Sequence, residues 1–518
     1  GGVGTSWSKI RGTGAVVKSV DIHSQGVVPY LKIANDINVC VMRSGKRRAA
    51  SVVYLETWHV DIEDFLELRK NTGDERRRTH DLNTANWIPD LFMERVKQDA
   101  DWTLFSPDET PELTELYGKK FNAKYEQYER MAAEGKIKLF KTIKARDLWK
   151  KMVGMLFETG HPWICFKDPS NIRSPQDHAG VIHSSNLCTE IMLNTSEKET
   201  AVCNLGSINL AKFVKKNKSI DRDLLQKVIR YSVRMIDNTV DINYYPTEDS
   251  KASNMKHRPI GLGIRGYHDA MYGMGILFDT NEAVDFADES MELISYYTIL
   301  SSSELAREKG KYQSYEGSKW SRGILPQDTI ELLEKERNTV IDIPKGGKLD
   351  WTPVRNHIKE FGMRNSNTMA IAPTASTANL VGCIPTVEPI YKNIYVKSNK
   401  EGEFIVVNKY LVEDLKKLNL WNRDMVNKIK FFDGSIQDIH EIPQEIKNKH
   451  KEVFDIDQKW LILAAARRGK WIDQAQSLNL YVSQPSGRKL DELYRLAWVR
   501  GLKTTYYLRT LAATAAEK

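Results

Sequence analysis

Long apolar runs are absent from this 518-residue sequence, so no segment reads as a helix able to cross a bilayer. A charged-then-apolar leader pattern is absent too. Cysteine is scarce. The five residues at 40, 165, 188, 203 and 383 form no CxxC pair and no zinc-ligand spacing. That pattern gives no metal site and fits a reducing cytoplasm, where any disulfide would be catalytic. A P-loop is missing as well, because Gly346-Gly347-Lys348 lacks the leading glycine spacing and the following hydroxyl. Aromatic-basic repeats that stack nucleic-acid bases do not occur. The net charge of +8 is spread through mixed-sign stretches such as 69–78. Neither nucleic acid nor membrane is expected as a partner, and phosphate-bearing small molecules account for the positive excess.

What is present is core-forming sequence. A hydrophobic share of 41% with 12 Trp and 21 Tyr argues against disorder. The length suits several domains or one very large barrel. Strand-length apolar segments alternate with helix-periodic ones, which indicates an α/β architecture. Strands are expected at Ile37 to Val41, Val52 to Leu55 and Trp163 to Phe166. Helices are expected at Val60 to Leu68, Leu148 to Phe157 and Leu224 to Val240, with another opening at Trp87-Ile88-Pro89-Asp90. Residues 400–460 turn polar and lysine-rich, with helical stretches at Tyr410 to Leu418 and Arg423 to Lys430. They read as a small helical elaboration between a main body, 1–399, and returning core-like sequence, 461–518.

Four stretches carry candidate chemistry. If Ser184 to Ile191 is extended, Asn186, Cys188 and Glu190 share one face and present an amide, a thiol and a carboxylate together. The bland alternative is a half-buried strand whose cysteine is a small hydrophobe. Gly261-Leu262-Gly263-Ile264-Arg265-Gly266 fits GxGxxG, yet the polar run before it argues for close strand-to-helix packing rather than a dinucleotide site. Thr374-Ala375-Ser376-Thr377 precedes helical sequence and suits either a phosphate or an ordinary helix cap. The basic loop Met42 to Ala49 is either a phosphate or base contact at a strand end, or a solvated turn.

Taken together, SNLCTEI, AVCNLGSINL, LETWHVDIEDFLELRKNTG, HRPIGLGIRG, RNSNTMAIAPTAST, WIDQAQSLN and LKTTYYLRT closely resemble the large subunit of ribonucleotide reductase, especially class I. The resemblance implies a ten-stranded α/β barrel, here lacking one or more N-terminal strands, with a catalytic-cysteine finger loop and a small helical insertion. It implies radical-based reduction of ribonucleoside diphosphates to deoxyribonucleotides, the precursors of DNA. Cys188 would carry a thiyl radical, Glu190 would take the 3′-hydroxyl proton, Asn186 would hold Glu190 and the sugar in register, and Cys203 would be one of two redox thiols. Tyr506 and Tyr507 would relay the radical. Substrate would contact Gly2, Asn186, Leu187, Cys188, Thr189 and Glu190, with its diphosphate on Thr374, Ala375, Ser376 and Thr377. Nucleoside triphosphate effectors would meet Arg11, Lys18, Ser19, Lys46 and Arg47.

The same resemblance implies no cofactor on this chain itself. The radical would come from the dinuclear metal centre of a small subunit, thioredoxin or glutaredoxin would supply electrons, and the chain would pair with itself. It also implies a separate N-terminal piece bearing the cysteine that pairs with Cys203, so that this chain is the C-terminal portion of a large subunit. Two other readings stay open: a cobalamin-dependent class II reductase, and a nucleotide-binding fragment without turnover of its own. One geometric expectation follows for the tyrosines. Neighbours in a regular strand face opposite sides, so a stacked Tyr506–Tyr507 pair requires bent backbone, with Tyr506 the nearer to Cys188.

Overall fold

The structure is a computed structural model that describes residues 2–17, 19–43, 47–399 and 402–511. Four strands, β1 (Gly2–Ser6), β2 (Ala50–Glu56), β3 (Asn83–Ile88) and β4 (Trp163–Phe166), lie side by side and parallel in that order. Val52, Val53, Tyr54 and Leu55 of β2 are all buried, as a parallel strand covered on both faces requires. At β4 the direction reverses. The Phe166 N–H donates to the Lys503 carbonyl and the Thr505 N–H to the Ile164 carbonyl, an antiparallel join.

Five parallel segments continue from there. β5 (Leu205–Asn209) pairs with β6 (Gly261–Arg265), and β6 with residues 368–370. Ile371 pairs with residues 475–477, which lead into β7 (Leu480–Val482) beside β8 (Leu508–Thr510). The result is one row of strands with two parallel halves. Among the described residues, β1 and β5 each pair on one side only, so the row stays open. Among the described residues no closed barrel is formed, and two strand edges are free of ladder partners; the sequence expectation was a ten-stranded barrel lacking N-terminal strands.

Helices cover the outside of the row. Asn281–Lys309 packs against Arg222–Ile242, Thr352–Phe361 and Lys459–Gly469, and Ala145–Thr159 packs against Asp90–Gln98 and Gly487–Val499. One contiguous apolar core fills the space between. Gly263 shows how tightly strands approach: a Cβ there would lie 2.4 Å from the Ala370 carbonyl oxygen. Gly266, with φ +65°, then turns the chain into helix Tyr267–Met274. The GxGxxG stretch is thus a strand-to-helix packing element.

Several expectations need correction. Ile37 to Val41 is not a strand but the end of helix Val27–Cys40, whose Val27, Val28, Leu31, Asn35 and Asn38 are buried at helical spacing. The basic loop therefore follows a helix, and Met42–Arg43 pairs with Arg47–Arg48 as a short hairpin. The helix expected from Val60 to Leu68 shrinks to Ile62–Leu66. There the Asp61 carboxylate accepts the N–H groups of Thr13 and Val27, which ties this segment to its neighbours. The elaboration at 400–460 is not wholly helical either. It starts earlier, with an antiparallel hairpin of Ile394–Asn399 and Gly402–Val407, and its helices share a separate small core around Leu411, Leu415, Met425 and Ile429.

Candidate active site

The cysteine stretch is a tight loop, not the strand its alternation suggested. The Thr189 N–H donates to the Asn186 carbonyl across a turn, and Thr189 itself adopts φ +65°. A buried β-branched residue in the left-handed region is strained, so the surroundings must hold it. They do: Thr189 Oγ1 donates to the Thr505 carbonyl at 3.2 Å, and Thr504 Oγ1 donates to the Thr189 carbonyl at 2.8 Å. From the opposite half, Tyr54 of β2 donates its hydroxyl to the Asn186 carbonyl at 2.9 Å. The loop is clamped between the two halves of the row.

β1 closes the third side. A Cβ on Gly4 would sit 2.1 Å from the Ser185 carbonyl oxygen, and one on Gly2 would sit 2.7 Å from Leu187 Cδ2. Only glycine lets this strand lie so close to the loop. Asn186, Leu187, Cys188, Thr189 and Glu190 are thereby brought together with Gly2, although the turn rather than a strand face unites them.

The electrostatics follow from burial. Glu190 is 1% exposed and accepts hydrogen bonds from the neutral side chains of Asn186 and Ser477, the latter at 3.1 Å. With no cation as partner among the described residues, desolvation pushes its carboxyl up to about 7. Cys188 is half-buried, and desolvation, then the Glu190 charge, push its thiol up to about 12. Cys203 lies just ahead of β5 and is exposed, so solvent reaches it. The protein around it and the Glu190 charge still push its thiol up to about 11. All five cysteines are free thiols.

The Tyr506 hydroxyl stands 3.6 Å from Cys188 Sγ. Its ring centre lies 4.1 Å from that of Tyr507 at 46°, so both rings are on one side. The backbone there is not regular strand: ladder geometry resumes only at Leu508. The Tyr506 N–H donates to the Leu478 carbonyl and the Tyr507 N–H to Asn479 Oδ1. The Trp163 ring packs edge-on against both tyrosines, and the Arg509 guanidinium covers Tyr507. Burial and the neighbouring Cys188 hold the Tyr506 phenol well above its usual pKa.

Thr374 stands at the N-cap of helix Ala375–Val381, but its side chain does not cap the helix. Its Oγ1 accepts the Thr386 N–H at 3.0 Å instead. Ala375, Ser376 and Thr377 are exposed at the helix start. Thr374 and Ala375 line a cavity of about 850 Å³ that also holds Tyr506, Tyr507 and Arg509. Of the effector candidates, Arg11 donates to the Val16 carbonyl beside a hairpin, and Ser19 is exposed. Lys18 and Lys46 lie outside the described residues, as does the side chain of Arg47.

Ser477, Tyr54 and Thr504 touch the loop and were not singled out as site residues from the sequence. Ser477 and Thr504 fall inside the quoted WIDQAQSLN and LKTTYYLRT stretches, which flagged the segments but not the side chains. Tyr54 carried no local signal, since a tyrosine in an apolar strand usually reports packing.

Comparison with known proteins adds three findings. The family model described as ribonucleotide reductase, barrel domain, matches residues 1–508. The ribonucleoside-diphosphate reductase subunit alpha of Chlamydia pneumoniae is 54% identical over 521 residues, covering 100% of this chain and 50% of that protein. The large subunits of Arabidopsis thaliana and Caenorhabditis elegans are 41% and 42% identical, each covering 100% of this chain and 64% of the relative. The chain thus spans from about half to two thirds of the length of these relatives.

Proposed function

The chain belongs to the ribonucleotide reductase family, and from that premise we propose that it is the catalytic barrel portion of an enzyme reducing ribonucleoside diphosphates by radical chemistry on Cys188. The observation that carries the reading is the contact between the Tyr506 hydroxyl and Cys188 Sγ, 3.6 Å apart, beside the buried Glu190. A thiol held near pKa 12 stays protonated at neutral pH and has a hydrogen atom to give.

Tyr506, once oxidised to a phenoxyl, takes the hydrogen atom of Cys188, forming O–H and breaking S–H. The sulfur radical takes the 3′ hydrogen of ribose, forming S–H and breaking C–H. Glu190 takes the 3′-hydroxyl proton, a role open to a carboxylate whose pKa is near the working pH. The 2′-hydroxyl leaves as water. Cys203 and a second thiol supply two electrons and two protons, one to the departing hydroxyl and one to C2′, and finish as a disulfide; Glu190 returns its proton to the 3′ oxygen, Cys188 returns the 3′ hydrogen, and the radical left on sulfur passes back to Tyr506. Asn186 orients Glu190, and the N-terminus of helix Ala375–Val381 receives the diphosphate.

The tyrosine pair favours class I, in which a small subunit with a dinuclear metal centre supplies the oxidising equivalent through Tyr507. A class II enzyme makes its radical on the spot and needs no such pair. Thioredoxin or glutaredoxin would reduce the Cys203 disulfide, and nucleoside triphosphates would set substrate choice. The test is product formation from a ribonucleoside diphosphate, with this chain, the upstream part of the large subunit, a small subunit and a dithiol all present. Deoxynucleotide is expected with the small subunit. Turnover that instead requires adenosylcobalamin, and ignores the small subunit, would overturn the class I assignment.

A further inference from the structure

Ser477 touches both the Cys188 turn and the Glu190 carboxyl. It is 1% exposed and sits where 475–477 pairs with Ile371. Its Oγ lies 2.5 Å from the Cys188 carbonyl oxygen and 3.1 Å from Glu190 Oε2. Both neighbours are acceptors when Glu190 is ionised, yet a serine hydroxyl has one proton to donate. Only one of the two contacts can then be a hydrogen bond donated by Ser477.

We infer that Ser477 is a positioning residue whose single hydroxyl proton changes acceptor with the protonation of Glu190, linking the general base to the Cys188 turn. With Glu190 ionised, Ser477 O–H points at Oε2, where a charge-assisted bond is stronger than one to a peptide carbonyl. When Glu190 takes a proton, its own O–H donates to Ser477 Oγ. Ser477 O–H then turns to the Cys188 carbonyl. No atom is lost in the exchange: one O–H rotates, and the carboxyl donor replaces it. The Cys188 peptide therefore gains its donor only after the base has worked.

The surroundings leave Ser477 little competition. Asn186, on the loop, is the other side-chain partner of Glu190. The titratable groups that face Glu190 are Cys188 on the same loop, Cys203 ahead of β5, and Tyr54 on β2. All three stay neutral around pH 7, since burial raises each of them. The Glu190 carbonyl is separately fixed by the Ala475 N–H at 2.9 Å, so the strand that bears Ser477 also sets the depth of the carboxyl.

The inference rests on Glu190 being the base, so the test reads its protonation apart from turnover. The infrared carbonyl band of the protonated carboxyl is followed against pH in the full chain, with Glu190→Gln identifying the band. In Ser477→Ala the midpoint should move up by about one pH unit, because the ionised form loses a donor. Ser477→Thr, which keeps the hydroxyl, should restore the wild-type midpoint. In the assembled enzyme Ser477→Ala should lower kcat about tenfold with KM little changed, and the acid limb should move with the infrared midpoint. Unchanged midpoints in both variants, or equal loss in Ser477→Ala and Ser477→Thr without a shift, would overturn the inference and leave a packing role. A shifted midpoint with no change in turnover would leave the Ser477–Glu190 contact standing but overturn the inference, because Glu190 would not be the base.

Discussion

Adding one methyl group at Gly4 tests whether the loop geometry is as tight as it looks. Gly4 has no positive φ, so the effect of Gly4→Ala is steric and not conformational. The new Cβ would lie 2.1 Å from the Ser185 carbonyl oxygen and 2.9 Å from Asn186 Cα. Carbon makes comfortable contact at about 3.5 Å, so strand and loop must part by roughly 1 Å. The three nearest atoms it meets are all backbone, so no side chain can swing away. Overpacking of this kind costs about 1–3 kcal/mol of stability, read as a lower denaturation midpoint. The larger effect falls on chemistry. The displaced segment carries Asn186, Cys188 and Glu190, and a shift near 1 Å in reacting groups costs about a hundredfold in rate. Thermal denaturation of the chain and turnover of the assembled enzyme are the assays. Gly4→Ala with wild-type stability and rate would refute the close approach of β1 to the loop.

Other perturbations have equally definite outcomes. Turnover should rise as pH increases through about 7, because Glu190 accepts a proton only when ionised, and Glu190→Gln should abolish it with binding retained. Stability should run the other way. The folded carboxyl binds its proton more tightly than the unfolded one, so stability falls between about 4.5 and 7, and Glu190→Gln should be the more stable protein above pH 7 in denaturant titrations. Tyr506→Phe should stop turnover while leaving nucleotide affinity intact in a binding titration. Arg337→Leu should destabilise the fold by about 3–5 kcal/mol, since it strips two 2.7 Å hydrogen bonds from the buried Asp90 carboxylate, which lies beside Asp168. A melt within about 1 kcal/mol of wild type would remove that pair from the account.

How much of this was legible in the sequence depends on the range of the interaction. The alternation of Val52 to Leu55 with helix-periodic stretches announced an α/β chain, because local spacing alone sets it. The end of helix Val27–Cys40 looks like a strand in sequence, yet Ile37 and Val39 are exposed on the helix and only Val41 after it is extended. The Cys188 loop shows the same limit more sharply. Asn186, Cys188 and Glu190 do meet, but through a turn held by Thr504, Thr505 and Tyr54, which lie hundreds of residues away or across the fold. No local pattern encodes such a clamp. The open edges of β1 and β5 are likewise a property of strand order, which depends on pairings between distant segments.

The most direct test of the central claim is a single-turnover experiment on the assembled enzyme with cysteines replaced one at a time by serine. Cys188→Ser should bind nucleotide yet form no deoxynucleotide even in one turnover, since an alcohol cannot furnish the radical. Cys165→Ser, buried beside the Thr505 carbonyl but given no role, should complete that turnover. Deoxynucleotide from Cys188→Ser, in an amount comparable to the enzyme present, would contradict the assignment of the radical to Cys188.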